Sequence, residues 1–265
     1  MSAHISIHTL RQMKSKGERF ACLTAYDATH AEVISRSGVE CILVGDSLGM
    51  VVQGHDSTLP VSLADMAYHT ACVARGNQGS LLIADMPFLS YADTADAIKG
   101  AKALMQAGAH MVKLEGGAWL APLIHTLRQH GVPACLHLGL TPQSVNVFGG
   151  YRVQGRGDAA GQRLVQDVQE LEASGAELIV LECVPQQLAA TVTQATSVPV
   201  IGIGAGPATD GQVLVLYDML GLNVGKTPRF IKNFLSEGRS IAQACQAFAE
   251  DVRSGRFPAS EHCFD

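Results

Sequence analysis

The alternation of apolar and polar stretches along the chain repeats one unit. A helical stretch ends in glycine, a short apolar run follows, and a polar residue closes the run. Gly38 leads into Glu40–Asp46, Gly108 into His110–Glu115, Gly131 into Val132–His137 and Gly175 into Glu177–Glu182. Each glycine suits the left-handed position that ends a helix. Each run is apolar on both faces, as a strand buried inside a parallel sheet must be. Four more runs match without the glycine lead: Ala21–Ala25, Leu81–Ala84, Pro199–Ile203 and Val213–Tyr217. Helical periodicity fills Thr29–Ser37, Ser62–Arg75, Thr94–Ala107, Trp119–His130, Ala159–Ser174 and Gln186–Thr196, and a last helical region covers Arg229–Val252. Ser62 with Asp65 three residues on, and Asp93 or Thr94, have the chemistry of N-caps. Ser6–Lys16 is amphipathic and lacks the apolar core of a secretory signal. With Arg11, Lys14 and Lys16 and no acid before Glu18 it also has the charge pattern of an organelle-targeting segment, but the preferred reading is a first helix that closes the fold.

Eight strands alternating with helices, at about 33 residues per unit, predict one (β/α)8 TIM barrel domain over residues 1–265. An open doubly wound sheet has the same local pattern, but no G-x-G-x-x-G follows the first strand. Two connections break the rhythm. Gly139–Asp158 runs about 20 residues without helical periodicity, the length of a lid or binding loop. A shorter one, Gly49–Pro60, follows the second strand. The G-I-G-A-G stretch at Gly202–Gly206 reads equally as a phosphate-binding turn or as glycine permitting a tight bend.

Composition narrows the function classes. Hydrophobic residues are 47% of the 265, charged residues 16% and aromatics 5%, so the core must be aliphatic and disorder is excluded. A net charge of −5 without a basic run gives no footprint for nucleic acid. No apolar stretch approaches the ~18 residues of a membrane span. Seven scattered cysteines without a CxxC pair read as free thiols of a reducing, cytoplasmic compartment, with Cys22, Cys41 and Cys135 acting as small hydrophobes.

In a barrel the C-terminal strand ends carry the chemistry, and here they hold Asp46, Asp85, Glu115, His137 and Glu182. Alternation along the fourth strand places Lys113 on the face of Glu115, one layer deeper. Four carboxylates around one opening repel by several kcal/mol per close pair at an effective dielectric of ~20, and one lysine does not balance them. Oxygen ligands without a His/Cys cluster suit a hard ion such as Mg²⁺. Such an ion can chelate a 2-keto acid and stabilise its enolate, with Lys113 adding charge and Glu182 shuttling protons. Blander readings stand beside these. Asp46 or Asp85 alone can cap a helix, Glu115 can be a solvated loop acid, and His137 reads equally as a core histidine bonded to backbone or as a substrate-binding residue. Ser47 can cap the next helix or donate to a substrate anion. Tyr26-Asp27 and His55-Asp56 read as loop and cap residues.

Several motifs in order resemble the ketopantoate hydroxymethyltransferase family: V-G-D-S-L-G-M (Val44–Met50), V-Q-G-H-D-S-T-L-P-V (Val52–Val61), A-D-M-P-F (Ala84–Phe88) and K-L-E-G-G (Lys113–Gly117). H-L-G-L-T-P-Q (His137–Gln143), G-G-Y-R-V-Q-G-R (Gly149–Arg156), L-E-C-V-P (Leu181–Pro185) and G-I-G-A-G continue the likeness. The resemblance implies a barrel of the phosphoenolpyruvate/pyruvate type. It implies transfer of a one-carbon unit from 5,10-methylenetetrahydrofolate to 3-methyl-2-oxobutanoate. Asp46, Asp85 and Glu115 would then hold Mg²⁺, Asp46, Ser47, Asp85 and Lys113 would contact the keto acid, and Glu182 would be the base. Gly139–Asp158 is expected on the folate side. A decamer of paired pentamers is also implied, and Phe257 and Phe264 in the polar tail hint at a subunit contact. The rival reading is a Mg²⁺-dependent carbon–carbon lyase of the isocitrate-lyase-like superfamily, though the K-K-C-G-H loop typical of those enzymes is missing. An inert barrel serving an assembly would have lost Asp46, Asp85 or Glu182.

Overall fold

The computed structural model describes residues 4–222, 227–236 and 238–265. Its strands are β1 (Phe20–Thr24), β2 (Cys41–Val44), β3 (Leu81–Asp85), β4 (Met111–Glu115), β5 (Ala134–Gly139), β6 (Leu178–Glu182), β7 (Val200–Ile203) and β8 (Gly211–Leu214). They close in chain order into a parallel barrel, β8 pairing with β1. The helices are α1 (Ile7–Lys16), α2 (Ala28–Arg36), α3 (Leu48–Val51), α4 (Leu63–Gly76), α5 (Thr94–Gln106), α6 (Ala121–Gln129), α7 (Val145–Phe148), α8 (Asp158–Ser174), α9 (Gln186–Ala195), α10 (Leu216–Met219) and α11 (Ile241–Arg253). The expected caps form: Ser62 makes a capping box with Asp65, and Asp93 caps α5.

Three expectations need correction. The last strand starts two residues before Val213 and ends at Leu214, and Leu216–Met219 turns helical. Its start is a glycine that pairs with Phe20, and a Cβ there would lie 2.8 Å from the Phe20 carbonyl, so the strand opens on a residue without an apolar signature. The helical region expected from Arg229 begins only at Ile241, where Ser240 makes a capping box with Gln243. Among the described residues before it the chain runs in turns, and Glu237 of that stretch lies outside the description. The long connection after β5 is partly helical, with a 3-10 turn at Pro142–Ser144 followed by α7.

Two apolar layers result. One lies between barrel and helices; the other fills the lumen with Cys22, Cys41, Leu43, Ile83, Met111, Cys135 and their neighbours. Leu10 of α1 is fully buried in the lumen layer, with Ile5, Ile7 and Met13 packed around it. The Ile5 N–H donates to the Gly79 carbonyl just before β3, and Lys14 Nζ reaches Asp210 just before β8 at 2.8 Å. Helix α1 therefore plugs the end of the barrel where the strands start. Phe257 is 3% exposed and stacks edge-on with Phe234 and Phe248, so this tail aromatic serves the chain's own core.

Candidate active site

The strand register assembles the polar cluster at the opposite end. Asp85 is the Cα partner of Lys113, Glu115 of His137, and Gly139 of Glu182. Alternation turns Asp85, Lys113, Glu115, His137 and Glu182 inward with the lumen residues beneath them. Asp46, just past β2, joins them through its backbone: its N–H donates to Asp85 Oδ2 at 3.0 Å. Asp46, Asp85, Lys113, Glu115 and His137 are all at most 5% exposed. Glu182 is the least enclosed, its side chain 14% exposed. The strand-end residues singled out from sequence thus meet in one place.

Contacts within the cluster are ionic. Lys113 Nζ lies 2.6 Å from Asp85 Oδ1 and 3.6 Å from Glu115 Oε1. The His137 Nδ1 atom is 3.0 Å from Glu115 Oε1, and its Nε2 is 3.2 Å from Glu182 Oε2. Histidine therefore bridges two carboxyl groups and is no longer a core residue bonded to backbone. Burial and Lys113 pull its pKa down, but Glu115 and Glu182 outweigh them and raise it to about 9. Burial likewise opposes the charge on Lys113, and Asp85, Glu115 and Asp46 overcome it, so the ammonium is held. For Glu115, burial is outweighed by His137, Lys113 and the Gln143 N–H, which hold the carboxyl below its ordinary value. Asp46 goes the other way: burial first, then Asp85 and Glu115, push it well above the usual carboxylate range.

Four carboxyl groups thus share two cationic partners, and Asp46 is left wanting positive charge. The contact of Lys113 with Asp85 Oδ1 and that of Glu182 with His137 Nε2 lack hydrogen-bond alignment, so both buried atoms have no aligned partner among the described residues. Those residues hold no ready-made group of three His, Cys, Asp or Glu side chains closed around a metal. An ion that keeps several waters and takes one or two carboxylates needs no such cage.

Ser47 heads α3, but its hydroxyl makes no capping bond; it pairs with the Tyr26 hydroxyl at 2.9 Å. Asp27 is the N-cap expected of it, whereas its neighbour Tyr26 is buried against the site. Two further residues escaped the sequence reading. Gln143 and Tyr91 are buried and hydrogen-bonded into the acidic cluster. Both are neutral and lie in loops, where no periodicity marks them. Gly139 ends β5 with φ +86°, and a Cβ there would fall 2.3 Å from the Glu182 carbonyl oxygen. Cys183, directly after Glu182, has φ +46°, a strained backbone for a non-glycine residue beside the expected base. The glycines of Gly202–Gly206 serve packing: a Cβ at Gly204 would meet Phe230 at 3.0 Å and one at Gly206 would meet Gln186 at 2.5 Å.

Comparison with known proteins adds to this geometry. A family model described as ketopantoate hydroxymethyltransferase matches residues 4–260. The chain is 61% identical over 260 residues to a 3-methyl-2-oxobutanoate hydroxymethyltransferase of Marinobacter nauticus, covering 98% of each. It is 57% identical to a second such enzyme from Pseudomonas fluorescens, again covering 98% of each. Among solved structures, phosphonopyruvate hydrolase superposes with a TM-score of 0.62 at 14% identity, covering 82% of this chain and 83% of that one. A 2,3-dimethylmalate lyase of the PEP mutase/isocitrate lyase superfamily superposes with a TM-score of 0.59 at 16% identity, covering 82% of each. At such identities these structures show a shared barrel fold and nothing finer.

Proposed function

This chain belongs to the ketopantoate hydroxymethyltransferase family, a family of enzymes, and from that membership we propose that it transfers a hydroxymethyl group from 5,10-methylenetetrahydrofolate to 3-methyl-2-oxobutanoate, giving 2-dehydropantoate. The observation that carries the reading is the convergence of Asp46, Asp85, Lys113, Glu115 and Glu182 on one barrel mouth, linked by the Lys113–Asp85 and Glu115–His137–Glu182 contacts.

The donor set fits Mg²⁺: oxygen ligands, an Asp46 in which burial, Asp85 and Glu115 outweigh the attraction of Lys113, and an Asp85 oxygen without an aligned donor. Asp46 and Asp85 would hold the ion, with Glu115 as the third acid of the site. When bound, it supplies Lewis-acid polarisation of the keto acid's carbonyl and so favours an enolate. Lys113, fixed as an ammonium, attracts the anionic substrate. The Ser47 hydroxyl, free of capping duty and oriented by Tyr26, donates to a substrate oxygen. Glu182 takes the proton from C3. Water cleaves the folate-borne methylene from its two nitrogens and frees tetrahydrofolate. The electron pair left at C3 attacks this one-carbon unit at the oxidation level of formaldehyde, whose oxygen takes up a proton as the new hydroxyl. His137, charged at neutral pH, holds Glu182 by its position between the two carboxyl groups. The loop Gly139–Asp158 forms part of the folate-side wall. A homo-oligomer of paired pentamers and a cytoplasmic setting complete the reading, the latter supported by seven free cysteines.

Glu182→Gln tests the proposal. Exchange of the C3 proton with deuterated solvent should disappear while the keto acid still binds; exchange at the unaltered rate would reject Glu182 as the base. Turnover of a keto acid without folate would instead favour the lyase.

A further inference from the structure

We propose that Gln143 is a positioning residue whose side-chain amide, aimed by Tyr91, fixes the Asp46 carboxylate while its main-chain N–H fixes Glu115. The first turn of the loop after β5 thereby sets the shape of the acidic cluster. Gln143 is 6% exposed and sits in the 3-10 turn opened by Pro142. Its Nε2 donates to Asp46 Oδ2 at 2.9 Å and to the Met86 carbonyl at 3.0 Å. Its main-chain N–H donates to Glu115 Oε2 at 2.9 Å. The Tyr91 hydroxyl donates to Gln143 Oε1 at 2.6 Å and accepts from the Glu115 N–H at 3.3 Å. One residue is thus tied to the chain at the ends of β2, β3 and β4.

The amide has one possible orientation. A backbone carbonyl only accepts, so the nitrogen must face Met86 and Asp46, and the oxygen must face the tyrosine O–H. The Met86 carbonyl is the stop that keeps the amide from turning over, and Tyr91 completes the arrangement by lying closer to Oε1, at 2.6 Å, than to its other acceptor, the Glu115 carbonyl at 3.2 Å. The choice of side chain also matters for charge. A neutral donor fixes the rotation of a carboxylate without cancelling its negative charge, whereas lysine or arginine at this place would neutralise it. That is the requirement of a carboxylate kept for a cation, and hydrogen-bonded partners behind a ligand usually tune its metal affinity. The inference rests on the reading above, in which Asp46, Asp85 and Glu115 gather a divalent cation.

The test uses the full chain and Mn²⁺ alone, whose free ion is followed by its paramagnetic resonance signal. Gln143→Met keeps the side chain's bulk and the main-chain N–H to Glu115 but removes both amide groups. It should weaken Mn²⁺ binding by about 10- to 100-fold. Tyr91→Phe, which loses a single hydroxyl, should weaken it in the same direction but less. The keto acid's KM should rise more than kcat falls in both. A packing role would lower the thermal midpoint and leave the affinity of the folded protein unchanged, and that outcome would overturn the proposal. Should Gln143→Met fail to fold, Tyr91→Phe decides alone: unchanged affinity overturns, weakened affinity supports. Failure of the unaltered chain to bind Mn²⁺ would overturn the cation reading itself, and this inference with it. Binding by the unaltered chain and equally by both variants would overturn the inference only.

Discussion

Lys113 stands 2.6 Å from Asp85 and 3.6 Å from Glu115, with all three side chains buried. Removing one partner of such a cluster leaves uncompensated charge in a medium that solvates it poorly, at a cost of about 3–5 kcal/mol. Lys113→Met should therefore lower the unfolding free energy by about that much in a urea titration, and added Mg²⁺ should restore part of the loss. An unaltered midpoint would show that the acids do not depend on the ammonium. The five residues at strand ends were legible in the sequence because a polar residue closing an apolar run has few structural uses, and alternation added Lys113 beneath Glu115. Tyr26, Tyr91 and Gln143 were not. A neutral polar residue in a loop looks the same whether it faces water or a carboxylate, and only the closed barrel brings Gln143 onto Asp46.

Among the elements, β5 and β6 are held in contact by a position that admits no side chain. With φ +86° and a Cβ that would strike the Glu182 carbonyl at 2.3 Å, Gly139 lets β6 deliver Glu182. Gly139→Ala should displace it, and if Glu182 is the base proposed above, misplacing it by about 1 Å costs about 100-fold in rate; kcat measured against an unchanged far-ultraviolet spectrum checks this. At the other end, Glu172 of α8 accepts from the Thr196 and Ser197 hydroxyls and the Ser197 N–H, tying α8 to the turn before β7. Burial raises its pKa, but these donors and Lys14 outweigh burial and hold it below the ordinary value. The stability it contributes is then fully present above the unfolded value of ~4.3 and lost as pH falls through the lower folded value. A plot of thermal midpoint against pH should flatten over that acid range in Glu172→Gln; an identical slope would discount the tie. The interior strands and capped helices were legible from pattern. The misses lie where glycine opens β8 and where turns precede α11, because there the ordering comes from contacts distant in the chain.

The whole molecule has one blocked end and one chemical end. Leu10, fully buried with the lumen residues, holds α1 in place as the plug. Leu10→Ala should cost about 2–5 kcal/mol of stability. The keto acid's KM should stay as it is, because the plug and the acidic cluster lie at opposite ends of the strands; a shifted KM would mean that the two ends communicate. Fold class was legible from the repeat because eight similar units have few ways to bury both faces of a parallel sheet. Closure itself, β8 against β1, is a pairing between the two ends of the chain that no local pattern records.

The filled lumen also governs traffic. A barrel packed with side chains beneath its acidic cluster, and closed by α1 at its base, has one neck, so depth becomes sequence in time. In the proposed reaction, whatever settles against Lys113 should arrive before a partner that rests on the rim and wait for that partner to leave. The packed interior would thereby impose a queue: deep molecule in first and out last.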